Sequence, residues 1–195
     1  MLRAAGVEPV VLPSDVDEPA AVEAAEREHG PLSPQDMVLL LARAKAEAVA
    51  AGSERLDGLV LGGDSAFEIG GAVHGKPHTP EVARARWEAQ RGRTGVLHSG
   101  HWLVDARADG TGRAVGAVAS ATVTFAGDIT DAEIDAYVAS GEPLKVAGAF
   151  TIDSLGGPLI ERIEGDPSTV VGLSLPTLRR LLGELGVTFP DLWNR

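Results

Sequence analysis

The chain has 195 residues, of which 44% are hydrophobic, with no cysteine and a formal net charge of −11. This length fits one domain with a substantial core, and the absence of cysteine excludes disulfides, thiolate metal sites and a cysteine nucleophile. The acidic balance argues against non-specific nucleic-acid binding, which requires a basic surface. No apolar run is long enough to span a bilayer and no signal-peptide pattern is present, so a cytoplasmic location is expected.

The first third of the chain predicts one short strand and two helices. Residues 6–12 are expected to form a strand, and the alanine- and glutamate-rich stretch 20–29 a short helix. A longer helix is predicted from Pro34 to Ala51, with Ser33 as its N-cap and Gly52 as its end.

The longer helix has apolar residues at helical spacing, which defines the face expected to pack. These residues are Met37, Leu40, Leu41, Ala44 and Ala48. Lys45 is placed at the edge of this face, from which its side chain can reach into a cleft.

The remaining sequence alternates strands with helices, and hairpins interrupt the alternation. The predicted elements are a strand at 58–64, a hairpin turning at Gly70-Gly71, a helix from Thr79 to about Gly92, strands at 95–105 and 114–126, a helix from Thr130 to about Ser140, strands at 146–153 and 158–165, and a helix at 175–185. This pattern favours a mixed α/β sheet over a doubly wound parallel one. No repeat or linker divides the chain, so a single domain over residues 1–195 is predicted.

Asp64 is the most informative single residue, because it follows an apolar strand and two glycines in the sequence VLGGDS. It fits a turn aspartate that accepts backbone N–H bonds. It also fits a functional carboxylate, since active residues of α/β folds collect at strand ends. Such a carboxylate can bind Mg²⁺ and take a proton from an attacking water.

Other candidates are open to the same two interpretations. Lysine is rare, with three residues against fourteen arginines, and Lys76 in GKP fits either a solvated loop lysine or a phosphate ligand. Asp153 in TIDS and Glu18 in SDVDE fit solvated acids or site residues. His98 and His101 are not expected to form a metal pair, because strand residues three apart point to opposite faces.

The order of the motifs is more specific than any one of them. The succession SDVDE, LARAKAEAVA, VLGGDS, GKP, RGRTGVLHSGHWLVD, YVASGEPLKVAGAFTID and GDPSTVVGLSLPTLRRLL resembles the Maf-like family of nucleoside triphosphate pyrophosphatases. The resemblance runs from near residue 1 to about residue 186. It implies an elongated mixed central sheet with flanking helices, similar to the fold of inosine triphosphate pyrophosphatases. It also implies a cytoplasmic hydrolase, dependent on Mg²⁺ or Mn²⁺, that cleaves nucleoside triphosphates to monophosphates and pyrophosphate and clears non-canonical nucleotides.

The same resemblance implies roles for four residues around the triphosphate. Asp64 matches the family's proton acceptor and would also contact the metal. Glu18 matches an acidic residue near the metal. Lys45 and Lys76 match lysines that bind phosphate.

Two further residues are implied to contact the nucleoside. Asp153 matches a position that helps to hold the base or the metal, and Ser65 a position beside the base that bears on nucleotide choice. Neither residue decides between a methylated guanine nucleotide and pyrimidine triphosphates, so the preferred nucleotide is left open. The expected partner is a nucleoside triphosphate, with no nucleic acid and no membrane. No pattern encodes a homodimer, which is also left open.

One departure from the family pattern leaves activity open. The family begins with an apolar strand and a loop of the type S-x-S-P-R-R, and neither occurs here. The chain is therefore interpreted as truncated at its N-terminus, through either a misassigned translation start or a real truncation. In addition, GGDS replaces the commoner G-A-D-T, and Val146 stands where many members carry lysine. Two hypotheses follow: an active pyrophosphatase, or a non-catalytic nucleotide-binding or protein-interaction member.

Overall fold

A computed structural model describes residues 1–52 and 56–194. The α-helices of these residues are α1 (Glu18–His29), α2 (Pro34–Gly52), α3 (Pro80–Gln90), α4 (Asp131–Ala139), α5 (Pro167–Val170) and α6 (Leu175–Glu184). The strands are β1 (Leu59–Ile69), β2 (Ala72–His74), β3 (Thr94–Asp105), β4 (Ala114–Phe125) and β5 (Ile160–Glu164). They form one sheet in the order β2-β1-β3-β4-β5, which confirms the predicted α/β class. No described helix has the length and hydropathy needed to cross a bilayer.

Turn chemistry and antiparallel pairing account for the two ends of the sheet. Strands β1 and β2 pair antiparallel, with Ile69 opposite Ala72. The connecting residues Gly70 and Gly71 both have positive φ, 63° and 78°, as a type I′ hairpin turn requires. At the other end β4 and β5 pair antiparallel, with Val123 opposite Ile163 among their partners.

The chain forms two compact units. The first comprises Met1–Asp64, Ser99–Ala119 and Leu173–Arg195, and the second Ser65–His98 and Ser120–Gly172. The expectation of a single, N-terminally truncated domain stays a prediction.

Each unit has its own buried apolar cluster. The first packs α6 against β3 and β4, and its buried residues are Leu103, Val115, Leu178, Leu181, Leu182, Leu185 and Val187. The second is rich in aromatic rings packed edge to face: Phe67, Trp87, Phe125, Tyr137 and Phe150. Such ring pairs contribute about 0.5–1.5 kcal/mol beyond their buried area.

The predicted strand at 6–12 is wrong. A short 3₁₀ turn at Arg3–Ala5 is followed by residues 7–17 without regular secondary structure. Val10 and Val11 are 83% and 77% exposed. The backbone N–H and C=O groups of a strand pair with those of a neighbouring strand, and Pro9 has no N–H to donate.

The predicted strand at 146–153 is also wrong. Gly148 and Ala149 have left-handed φ values of 72° and 61°, which a strand does not contain. The bend is held by the indole Nε1 of Trp87, which donates to the carbonyl of Ala149 at 2.7 Å. The second predicted strand of that pair exists as β5 and pairs with β4 instead.

Candidate active site

Helix α2 carries Lys45 on its packed side. The helix was predicted with nearly its observed bounds, but the buried residues are Val38, Leu41, Ala42 and Ala46. Ala48, which the predicted face included, is exposed. The packed face is therefore rotated towards Lys45, whose side chain is only 21% exposed.

Gly62 allows α2 to lie directly on β1. A Cβ at Gly62 would lie 2.2 Å from the carbonyl oxygen of Ala42 and 2.8 Å from the nitrogen of Ala46. No side chain fits at those distances. The close approach sets Lys45 of the helix against Asp64, two residues after Gly62 in the strand.

Lys45 joins two of the predicted carboxylates. Its Nζ lies 2.7 Å from Oδ1 of Asp64 and 2.8 Å from Oε1 of Glu18. Asp64 is 16% exposed at its side chain and Glu18 47%. Glu18 is brought there by the start of α1, where Asp17 caps the helix by accepting from the N–H of Ala20 at 3.0 Å. Three of the six predicted site residues are therefore in direct contact.

The charge of Lys45 is fixed by this contact. Burial would lower the pKa of the ammonium, but its hydrogen bonds to Asp64 and Glu18 and their negative charges outweigh burial and raise it. Lys45 therefore stays cationic at neutral pH, as a phosphate ligand must be.

The carboxylates of Glu18 and Asp64 suit a magnesium or manganese ion. Both metals prefer oxygen ligands, and Mg²⁺ is commonly held by one or two carboxylates together with substrate phosphates and water. Among residues 1–52 and 56–194 no group of three His, Cys, Asp or Glu side chains could hold a metal. Glu18 and Asp64 therefore offer two oxygen ligands, and the rest of a Mg²⁺ coordination shell would come from other oxygens.

The other three predicted residues belong to the second unit. Ser65 is half-buried in β1, and a Cβ at Gly172 would lie 3.5 Å from its Oγ. Lys76 and Asp153 are both exposed. Their grouping with Lys45, Asp64 and Glu18 stays a prediction.

The segment that carries Lys76 is held in a defined turn. The N–H of Thr79 donates to the carbonyl of Pro77 at 2.8 Å, and His78 between them has a φ of 62°. From α3 the guanidinium of Arg86 donates to the carbonyl of Gly75. Lys76 is therefore presented to solvent from a constrained backbone.

The loop that carries Asp153 is organised by Glu142, a residue to which the sequence assigned no role. Among the described residues its oxygens accept hydrogen bonds from the hydroxyls of Tyr137, Thr151 and Ser154 and from the N–H groups of Leu155 and Gly156. Desolvation would raise the pKa of Glu142, but the hydrogen bonds from Thr151, Ser154 and Tyr137 lower it to about 2. The only signal in the sequence was its place within the motif SGEP.

This depressed pKa predicts an acid-sensitive contribution to stability. The ordinary pKa is 4.5 and the folded-state value about 2, so the stabilisation is complete above about pH 4.5 and is lost as the pH falls towards 2. Glu142→Gln should lower the free energy of unfolding by about 2 kcal/mol at neutral pH. Urea unfolding at a series of pH values should show this difference shrinking below about pH 4.5. The exposed Glu161→Gln is the control, and a pH-independent difference for Glu142→Gln would contradict the assignment.

A cavity of about 870 Å³ lies in the first unit, and Lys45 is one of its lining residues. Its lining is mainly apolar and includes Val49, Leu61 and Leu178. Lys45 and Arg107 are the cationic residues among its lining, and Arg107 is paired with Asp105 at 2.8 Å. Lys45 is therefore shared between the cavity wall and the carboxylate pair.

A family model described as Maf-like protein matches residues 1–185. This chain belongs to the Maf family. A relative from Leifsonia xyli subsp. xyli is 72% identical over 197 residues, covering all of this chain and 91% of the relative. Relatives from Salinispora tropica (55% identical, all of this chain and 82% of the relative) and Nocardia farcinica (50%, all and 91%) are similar along their length. All three carry the name nucleoside triphosphate pyrophosphatase. The motifs on which the sequence resemblance rests include those around Lys45 and Asp64, whose side chains are in contact.

Proposed function

We propose that this Maf-family chain hydrolyses nucleoside triphosphates to nucleoside monophosphates and pyrophosphate. The observation that carries the proposal is the contact of Lys45 Nζ with Asp64 at 2.7 Å and Glu18 at 2.8 Å. Together these three side chains would supply a cation for phosphate, a carboxylate base for water and two oxygen ligands for a metal. The name shared by the relatives supports the same reaction.

In the proposed reaction Asp64 accepts a proton from the attacking water. The water oxygen forms a bond to the α-phosphorus while the bond from that phosphorus to the bridging oxygen of the β-phosphate breaks. Pyrophosphate leaves with the electron pair, and the proton stays on Asp64 until it is released to solvent. A positioned carboxylate base of this kind accelerates such steps by about 10²–10⁴-fold.

The triphosphate must be neutralised before water can approach it. Lys45 and Lys76 would each place an ammonium against phosphoryl oxygens, where charge accumulates as the bond breaks. Glu18 and Asp64 would hold a Mg²⁺ or Mn²⁺ ion, which supplies further neutralisation of the phosphates. These contacts accelerate hydrolysis only to the extent that they are stronger in the transition state than in the bound substrate.

Ser65 and Asp153 are proposed to contact the nucleoside. Both offer short polar side chains able to hydrogen-bond a base or a ribose. The chain is further proposed to act in the cytoplasm on free nucleotides, with neither nucleic acid nor membrane as a partner. A surplus of acidic residues, with a net charge of −11, supports the exclusion of nucleic acid.

The direct test is the product formed from a panel of canonical and modified nucleoside triphosphates with Mg²⁺ or Mn²⁺. Phosphorus NMR separates pyrophosphate from orthophosphate without coupling enzymes. The proposal predicts monophosphate and pyrophosphate in equal amounts. Orthophosphate with a diphosphate, or no turnover of any nucleotide with either metal, would contradict it.

The alternative, a member of the family that binds nucleotide without turnover, is not favoured. Lys45 contacts both Asp64 and Glu18, so the residues proposed as phosphate ligand, base and metal ligands lie together. Stoichiometric nucleotide binding by a chain that forms no product in the same buffer would restore this alternative.

A further inference from the structure

The ammonium of Lys45 lies between the two carboxylates that the metal would use. Its distances of 2.7 Å to Asp64 and 2.8 Å to Glu18 are those of charge-assisted hydrogen bonds. The side chains of Lys45 and Asp64 are 21% and 16% exposed, so water screens this pair less than it screens a surface ion pair. The carboxylates already have a cationic partner that belongs to the chain.

This partner opposes the binding of a second cation. The three groups together carry one net negative charge, where the carboxylates alone would carry two. A divalent ion seated on Glu18 and Asp64 would stand within a few ångströms of the ammonium, and like charges at such a distance repel strongly in a partly buried site. Metal binding and the present position of Lys45 are therefore in competition.

A triphosphate relieves this competition. It offers anionic oxygens to Lys45, whose unbranched stem can turn its ammonium between partners, and it brings oxygen ligands that two carboxylates alone do not provide. When Lys45 turns to phosphate, both carboxylates become available to the metal that accompanies the nucleotide.

We infer that Lys45 is an internal counter-ion that keeps the carboxylate pair from binding metal until a nucleotide displaces it. The inference rests on the proposed function for the identity of the displacing ligand. Its consequence is thermodynamic: nucleotide raises metal affinity, and metal raises nucleotide affinity by the same factor. Lys45 thus couples metal binding to nucleotide binding in addition to contacting phosphate.

The test measures Mn²⁺ binding to the full chain without nucleotide, by the electron paramagnetic resonance signal of free Mn²⁺. Lys45→Met should bind Mn²⁺ at least about tenfold more tightly than wild type, because the repelling charge is gone. Lys45→Arg keeps the charge and should remain as weak as wild type. Arg43→Met is the matched control, since it removes one positive charge from the same helix at a residue paired with Glu47.

The opposite result is equally informative. If Lys45→Met binds Mn²⁺ no better than wild type or more weakly, Lys45 only holds the carboxylates in place and the inference is overturned. Circular dichroism checks that each variant is folded, and Lys45→Gln replaces Lys45→Met if the latter is not. This outcome is separate from the proposed function. If Lys45→Met binds Mn²⁺ more tightly and the wild-type chain has no pyrophosphatase activity, the inference stands and the proposed function is rejected.

A second measurement tests the displacement itself. A triphosphate analogue with a non-hydrolysable α,β-bridge should raise the Mn²⁺ affinity of wild type by a larger factor than that of Lys45→Met. Equal factors for the two proteins would show that the nucleotide acts only by adding its own oxygen ligands, and would also overturn the inference.

Discussion

Asp64→Asn should lower kcat for nucleoside triphosphate hydrolysis by about 10³-fold, within the range found for loss of a general base. Asparagine has the shape of aspartate and keeps an oxygen that can accept from Lys45, but it cannot take a proton from water. The fold should survive, because Asp64 is the last residue of β1 in the first unit and belongs to neither apolar cluster. Steady-state kinetics with the best nucleotide of the panel, together with thermal melting, measures both.

The matched control is Asp128→Asn, the same change at an exposed aspartate of the second unit. It should leave kcat within about twofold, as surface substitutions away from a site do. If Asp64→Asn keeps a third or more of the wild-type kcat, Asp64 is not the base. A melting temperature lowered by more than about 8 °C would instead show a structural role, since this shift corresponds to several kcal/mol in a chain of this size.

Gly62→Ala should damage both stability and activity. Its added Cβ would lie 2.2 Å from a backbone oxygen of α2, so the helix must move away from β1. Overpacking of this kind costs about 3 kcal/mol. The movement also draws Lys45 away from Asp64, and a misplacement of about 1 Å near the chemistry can lower kcat/KM by about a hundredfold. Urea unfolding and kinetics below the melting temperature measure the two effects.

Gly63→Ala is the control for this prediction. The nearest atom to a Cβ at Gly63 is the carbonyl oxygen of Gly100 at 3.7 Å, an ordinary contact. The two substitutions are therefore identical in chemistry and adjacent in the strand, yet only one meets the helix. Equal effects at Gly62 and Gly63 would show that backbone freedom, and not the close approach of α2, explains the loss.

The described α-helices other than the four-residue α5, which was not predicted, could be predicted from the sequence because their signals are local. Thr130 caps α4 in a full capping box with Glu133, and the Oγ of Ser33 caps α2 by accepting a hydrogen bond from the N–H of Asp36 at 3.1 Å. Capping residues act within one turn of chain and need no tertiary contact. The packed face of α2 was harder to predict, because an alanine-rich helix has several faces of similar hydropathy. The face that packs is the one that lies against the strand glycines Gly62 and Gly100.

The failed strands show where local signals are insufficient. Residues 6–12 are apolar enough for a strand, but a strand is defined by its partner and none of the described strands pairs with them. Residues 146–153 contain strand-forming side chains, yet Gly148 and Ala149 adopt left-handed backbone. That conformation is stabilised by Trp87, about sixty residues earlier, which no local pattern reports.

The candidate site was predictable in part for a different reason. The order of motifs grouped Glu18, Lys45, Asp64 and Lys76 around a triphosphate, although each alone also fits an ordinary surface residue. The structure places the first three in contact through Lys45. The role of Glu142 could not be predicted, because it depends on hydrogen-bond donors that precede and follow it in the sequence. The position of Lys45 between two carboxylates was likewise not readable from spacing.

In the proposed reaction water attacks the α-phosphorus at a site built on Asp64. A single-turnover reaction in ¹⁸O-labelled water, analysed by mass spectrometry of both products, tests it most directly. One labelled oxygen is expected in the nucleoside monophosphate and none in the pyrophosphate, and Asp64→Asn should lose the labelled product. Label in the pyrophosphate, or labelled monophosphate formed at the wild-type rate by Asp64→Asn, would contradict it.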